Sequence, residues 1–263
     1  MDIKLLPGAE PFYFPGGRIG CLCLHGLTAS PQEMYWLGEH LAKQGMTVYG
    51  PRLYGHGVSP DYMLRMRWQD WYLSALDGYH LLTQTCDQII VIGLSLGSLL
   101  ALRLASAEAV AGVVAMAVPL LPLPAPATIT HVLRYFVPYL MSYDQATDKI
   151  DQRVRKIQQE RHERITGRVA YFKQSAVGVS ELIKLQAEVK ATLSRVSAPS
   201  LLVFSEKDTT VPIETLDVVC AGLSASPMID TLRLNESDHI YTNDVEYHRV
   251  FAAVTTFVQR CTA

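Results

Sequence analysis

The sequence predicts an α/β fold, a doubly wound and mostly parallel sheet with a small inserted helical cap, and three observations predict it. Apolar runs of strand length alternate with amphipathic helical stretches up to residue 119 and again after residue 196. Those runs are continuously apolar, as strands covered on both faces are. Between residues 120 and 196 the alternation stops, over a stretch too long for a structureless loop.

The strands fall at 19–24, 46–49, 88–92, 110–118, 200–204 and 228–234, and the helices at 31–44, 68–84, 96–105, 212–223 and 244–260. Pro31 after Ser30 marks one helix start, and Asn243 with Glu246 three residues on reads as a capping box for the last. In that last helix Tyr247, Val250, Phe251, Val254, Phe257 and Val258 form one apolar face that docks on the sheet. The core therefore comprises 1–119 and 197–263. The cap, 120–196, opens with Pro122, Pro124 and Pro126, passes through an apolar aromatic stretch at 132–143 broken by Pro138, and enters a charged helix at 148–164, with no clear strand.

Composition narrows the partners. A formal net charge of −2 supplies no basic field for nucleic acid or anionic lipid, which leaves a small, neutral molecule as the expected partner. Residues 1–15 lack the apolar core of a signal peptide and no run of 18 apolar residues follows, so a cytoplasmic protein without a membrane segment is expected. The five cysteines have no metal-ligand spacing and read as small buried hydrophobes in a reducing compartment. No metal is expected.

The chemistry starts at Gly93-Leu94-Ser95-Leu96-Gly97, a G-x-S-x-G between an apolar strand and a helix. A serine on so tight a turn tolerates only minimal side chains two residues either side. Serine is a weak nucleophile, so it needs a base, and the base needs an orienting acid. Of the eight histidines, His40, His80, His131, His162 and His248 fall inside expected helices. His239 follows the last strand, at the same sheet edge as Ser95, and is the expected base. Asp208, in the loop after 200–204, is the expected acid, preferred over Glu206 and over Asp238, the sequence neighbour of the base. The oxyanion hole is expected from the backbone N–H groups of Leu96 and Leu27, with His25 bracing the loop His25-Gly26-Leu27-Thr28.

These motifs together with Tyr54-Gly55-His56-Gly57, in this order and over nearly the whole chain, resemble the small carboxylesterases and monoacylglycerol lipases of bacilli, members of the α/β-hydrolase superfamily. The resemblance implies a core sheet with a helical cap, a Ser95-Asp208-His239 triad, Leu27 and Leu96 as oxyanion hole, no cofactor, and short- to medium-chain esters or monoacylglycerols as substrates. A thioesterase or carbon–carbon bond hydrolase on the same triad, or a receptor retaining the pocket, are the alternatives. The sequence departs from the family at Ser98, where a further glycine is common, at Asp238, and across the cap, which shares composition only. An added carboxylate at Asp238 is expected to shift the pKa of the base and make Asp208 less dominant than in the family.

Leu133, Tyr135, Phe136, Val137, Tyr139, Leu140 and Met141 are too many apolar groups for one helix stripe, so part of the cap is expected to wall an acyl pocket, with Phe136 and Tyr139 as substrate contacts. Trp68, Trp71 and Tyr72 read as core packing. Arg153, Arg155, Lys156, Arg161 and Arg164, interspersed with acids, read as a solvated helix face.

Overall fold

The computed structural model describes residues 4–121, 135–142 and 148–263. Its main sheet has seven strands in the order β1-β3-β2-β4-β5-β8-β9: β1 (Phe12–Phe14), β2 (Ile19–Leu24), β3 (Thr47–Gly50), β4 (Gln88–Leu94), β5 (Gly112–Met116), β8 (Ser200–Ser205) and β9 (Ile229–Leu234). All neighbouring pairs are parallel except β1 with β3. Helices α1 (Gln32–Lys43) and α7 (Tyr247–Thr262) cover one face, and α2 (Trp68–Thr83) and α3 (Leu96–Ala105) the other, while α6 (Thr215–Gly222) joins β8 to β9. With both faces covered, Leu22, Leu24, Ile90, Val91, Ile92, Val113 and Val114 are fully buried, which is why these strands read as unbroken apolar runs.

Register decides where the site lies. Leu24 pairs with Gly93, Leu94 with Met116, and Ser205 with Leu234, so the strands end together and their following loops emerge along one edge. That edge receives the loops carrying Leu27, Ser95, Asp208 and His239.

Several boundaries differ from expectation. Strand β1 gives no periodic signal, being three residues between Pro11 and Pro15, and proline at its flanks suits an antiparallel edge strand. Strand β5 is shorter than 110–118, because Ala117 turns to a φ of 49°. The expected capping box is not formed: α7 begins at Tyr247, and the Glu246 carboxylate accepts backbone N–H bonds from Asn235, Glu236 and Ser237 at 3.1, 2.9 and 2.9 Å. Glu246 thus fixes the loop that leads to His239. Ser30 donates to the Val169 carbonyl at 2.7 Å instead of capping α1.

After β5 the chain leaves the sheet and rejoins it at β8. Within this insert β6 (Tyr139–Ser142) pairs antiparallel with β7 (Lys173–Ser175), where no strand was expected. Both are very short, and their pairing joins segments about 30 residues apart, beyond any local periodicity. Helix α4 (Lys149–Glu160) buries Ile150, Val154 and Ile157 and ends before His162, which lies in a turn at φ 55°. Helix α5 (Ala176–Thr192) packs on α2 and α3. His131, Leu133, Pro122, Pro124 and Pro126 lie outside the described residues. Trp71 is fully buried, and the Arg103 guanidinium lies 5.1 Å from the Tyr72 ring centroid. No helix among the described residues is long and apolar enough to cross a membrane.

Candidate active site

Ser95 stands between β4 and α3 with φ 55° and ψ −117°, a conformation costly for a residue with a Cβ. The turn is tight because strand and helix backbones nearly touch. A Cβ on Gly93 would collide with the Gly97 carbonyl, and one on Gly97 with the Leu24 carbonyl. Ser98 is fully buried, and its hydroxyl donates to the Ser95 carbonyl at 2.5 Å, so serine in place of a further glycine is accommodated with its polar group satisfied.

The Ser95 hydroxyl Oγ lies 2.9 Å from His239 Nε2. On the far side of the ring, His239 Nδ1 lies 2.9 and 3.1 Å from the two Asp208 oxygens. The Asp208 side chain is closed off from solvent and also accepts from Thr210 N–H (2.8 Å), Val211 N–H (2.9 Å) and the Tyr241 hydroxyl (2.6 Å). Burial pushes the Asp208 carboxyl up, but His239, Tyr241 and Val211 N–H together hold it below the usual aspartate range. Burial and the adjacent Asp208 raise the Tyr241 hydroxyl far above a free phenol, so it remains a donor. Tyr241 has no signal in the sequence; only the approach of two loops from different strands shows its role.

Asp238 turns away from the imidazole ring nitrogens. Its Oδ1 accepts from Thr209 N–H (3.0 Å), the Thr209 hydroxyl (2.9 Å) and its neighbour's backbone, His239 N–H (2.8 Å). The carboxylate ties the two loops together and leaves Nδ1 to Asp208.

Beside the serine runs the loop His25-Gly26-Leu27-Thr28. Buried His25 accepts from Leu53 N–H through Nε2 at 3.1 Å, and its Nδ1 lies 2.9 Å from the Gly26 carbonyl. Burial, then the neighbouring His56, holds the His25 ring well below the usual histidine range and so neutral. Leu96 is the first residue of α3, so its N–H belongs to the set that a helix leaves unbonded at its start. Leu27 lines the cavity in front of Ser95.

That cavity measures about 580 Å³. Pro119, Ile150, Phe172, Val179 and Leu182 form an apolar side, while Glu33, Asp148, Arg168, Gln174, Thr209 and Thr210 bring polar groups to it. Neither Phe136 nor Tyr139, the expected substrate contacts, is among its described lining residues. Phe136 is 78% exposed ahead of β6, and Tyr139 is held by strand pairing with Ser175, its hydroxyl donating to Asp61 at 2.5 Å. Glu33 and Arg168 were not singled out in the sequence, since a glutamate in a first helical turn and an arginine in a loop carry no distinguishing pattern. No cluster of three His, Cys, Asp or Glu side chains fit to hold a metal occurs among the described residues.

A sheet of this strand order with a strained serine at its strand-to-helix turn is the architecture of an α/β-hydrolase of the esterase type. The family is more particular than the fold: the profile described as serine aminopeptidase, S33, matches residues 18–228, and the chain belongs to that family. It is 33% identical to a thermostable monoacylglycerol lipase from Bacillus sp. (strain H-257), over 92% of this chain and 91% of the relative. It is 25% identical to a carboxylesterase from Bacillus subtilis (strain 168), over 95% and 96% of the two chains. Among solved structures, one from the metagenome-derived lipolytic enzymes LipS and LipT superposes with a TM-score of 0.83 at 28% identity, over 98% of this chain and all of the other. A soluble variant of the Saccharomyces cerevisiae monoglyceride lipase, at 14% identity and a TM-score of 0.76 over 99% and 94% of the chains, shares the fold.

Proposed function

We propose that this enzyme is a serine carboxylesterase cleaving short- to medium-chain carboxylic esters, monoacylglycerols among them, through an acyl-enzyme on Ser95. The observation that carries the reading is the continuous hydrogen-bonded line from Ser95 Oγ through His239 to Asp208, opening on a cavity with one apolar side. Ser95 O–H donates to His239 Nε2; as Oγ attacks the ester carbonyl carbon, Nε2 takes the proton. Asp208 keeps Nδ1–H oriented and stabilises the imidazolium. Leu27 and Leu96 N–H donate to the carbonyl oxygen as it becomes an oxyanion. His239 then returns the proton to the departing alkoxide, the alcohol leaves, and water repeats the sequence to release the acid.

The domain reading belongs to the same proposal: a core of 1–119 and 197–263, and a cap of 120–196 whose Ile150, Phe172, Val179 and Leu182 wall the acyl chain. A reducing, cytoplasmic setting fits five free cysteines, three of them buried. A phosphonate probe followed by peptide mapping tests the nucleophile, together with Ser95→Ala. We expect the label on Ser95 and a loss of kcat of about 10⁴ to 10⁶ in Ser95→Ala with its fold intact. Label on another residue, or near wild-type hydrolysis by Ser95→Ala, refutes the proposal.

A further inference from the structure

A carboxylate beside an oxyanion hole is an electrostatic anomaly, because the hole must receive negative charge as the reaction proceeds. Glu33, in the first turn of α1, is such a carboxylate: its side chain is 5% accessible and lines the catalytic cavity. Its Oε2 accepts the Gly26 N–H at 2.8 Å, one residue before Leu27. The packing there is close, since a Cβ on Gly26 would stand 3.0 Å from Glu33 Oε2 and 3.6 Å from the Ser95 Cβ. The loop therefore passes between carboxylate and nucleophile with little room for a side chain at Gly26.

The other oxygen, Oε1, is buried without a hydrogen-bond partner, and Arg168 of the insert faces it with Nη2 at 3.8 Å. Arg168 is held in turn by Asp148, Nη1 to Oδ2 at 3.1 Å. The strip around Arg168 is laced along the loop. Tyr171 N–H donates to the Thr28 carbonyl, the Ser30 hydroxyl to the Val169 carbonyl, and Val169 N–H to the Gln32 side chain, each at 2.7 Å. Burial pushes the Glu33 carboxyl up, and Arg168, the Gly26 N–H and His239 draw it back down.

We propose that Glu33 is a positioning residue that holds the oxyanion loop through the Gly26 N–H, and that Arg168 compensates its charge so that the hole can accept a developing oxyanion. The inference rests on the triad reading above. It makes the insert a part of the catalytic electrostatics and not only a wall for the acyl chain.

A double-mutant cycle on an ester substrate tests it, with kcat and KM followed against pH. Arg168→Gln leaves the Glu33 charge uncompensated, so kcat is expected to fall about 10- to 100-fold, with KM changed about twofold or less. Removing the cation raises the Glu33 carboxyl further. Below that pKa it is neutral and harmless, and above it the charge opposes the oxyanion; His239 still acts on Glu33, and Asp148, Asp238 and Tyr171 line the same cavity. The ratio of wild-type to Arg168→Gln kcat therefore grows as pH rises from about 5 to about 9. Arg168→Lys restores most of the rate. Glu33→Gln/Arg168→Gln, with an amide oxygen still accepting from Gly26, is expected within about threefold of Glu33→Gln alone. An equal loss from Arg168→Gln in both backgrounds, at a ratio independent of pH, overturns the proposal. Independently of how Arg168→Gln folds, Glu33→Leu removes the acceptor and should lose kcat about tenfold or more relative to Glu33→Gln; equal rates for those two variants overturn it as well. A dead Ser95→Ala with an additive cycle sinks this inference alone, whereas an active Ser95→Ala sinks the triad reading beneath it.

Discussion

Replacing Tyr241 by phenylalanine removes one oxygen from the fully buried interior and one donor from Asp208, leaving the rest of the packing in place. The lost bond is a 2.6 Å hydroxyl-to-carboxylate contact, so about 1.5–3 kcal/mol of folding stability is expected to go with it. His239, Thr210 and Val211 still donate to the carboxylate, which places the cost toward the lower end. The penalty has a pH signature. The Asp208 carboxyl is held below its unfolded range, so its contribution is complete above the unfolded value of about 4 and is lost as pH falls through the lower folded value. The Tyr241→Phe penalty should therefore be full near neutrality and shrink in acid. Catalysis should suffer less than stability, because the Nδ1 contact survives. We expect a loss in kcat/KM of about 3- to 10-fold, against about 10⁴ for Asp208→Asn, which misplaces the imidazole proton. Asp208, relieved of one donor, also attracts the imidazolium more strongly, so the acid limb of kcat/KM moves to higher pH. Urea unfolding at neutral and acid pH, with the pH–rate profile of a p-nitrophenyl ester, measures all three. A stability penalty constant across pH, or a rate loss on the scale of Asp208→Asn, would refute this account of Tyr241.

Asp238→Asn should cost far less in kcat/KM than Asp208→Asn, because Asp238 holds Thr209 and the His239 backbone and leaves the ring nitrogens alone; steady-state kinetics of the two variants decide it. Specificity should rise with acyl length until the cavity is filled, each methylene contributing about 0.8 kcal/mol, and Leu182→Ala should move the optimum to longer chains while Phe136→Ala leaves it alone; rates on p-nitrophenyl esters from acetyl to palmitoyl report the shift. Glu246, held down to about 2 by backbone N–H bonds from Glu236, Ser237 and Asn235 that outweigh its burial, should contribute stability that is complete above the ordinary glutamate range and fades only toward that value; comparison of Glu246→Gln with wild type in urea across acid pH tests the sign.

Much of the fold and of the site's geometry was legible because it depends on local or topological rules. Gly93, Ser95 and Gly97 declare a tight turn by steric demand alone. Asp208 and His239 were found by asking which loops leave the same sheet edge as Ser95, a question answered by parallel strands without any coordinates. Tyr241, Glu33 and Arg168 escaped because each acts through a partner distant in sequence: Arg168 stands 135 residues beyond Glu33, and neither residue type is unusual where it sits. Phe136 and Tyr139 stand apart from the described cavity for a related reason. Their stretch is conspicuously apolar, yet strand pairing and Asp61 claim Tyr139, while Ile150, Phe172, Val179 and Leu182 reach the cavity from separate segments with no shared periodicity. Strand β1 is too short to register as a pattern at all.

The lacing of residues 167–171 along 28–33 bears on how such enzymes can be recombined. A chimera that takes all of 120–196 from a relative imports a foreign strip against the native oxyanion loop, and inherits whatever charge stands where Arg168 does. A graft that ends before Gly167 exchanges part of the proposed acyl wall, Ile150 included, and leaves Arg168 beside the loop but replaces Asp148 and Asp151, which hold it. A crossover between helix α4 and Gly167 therefore preserves the strip only where the graft keeps Asp148, Asp151 and Gln158, which hold Arg168 and Gly167.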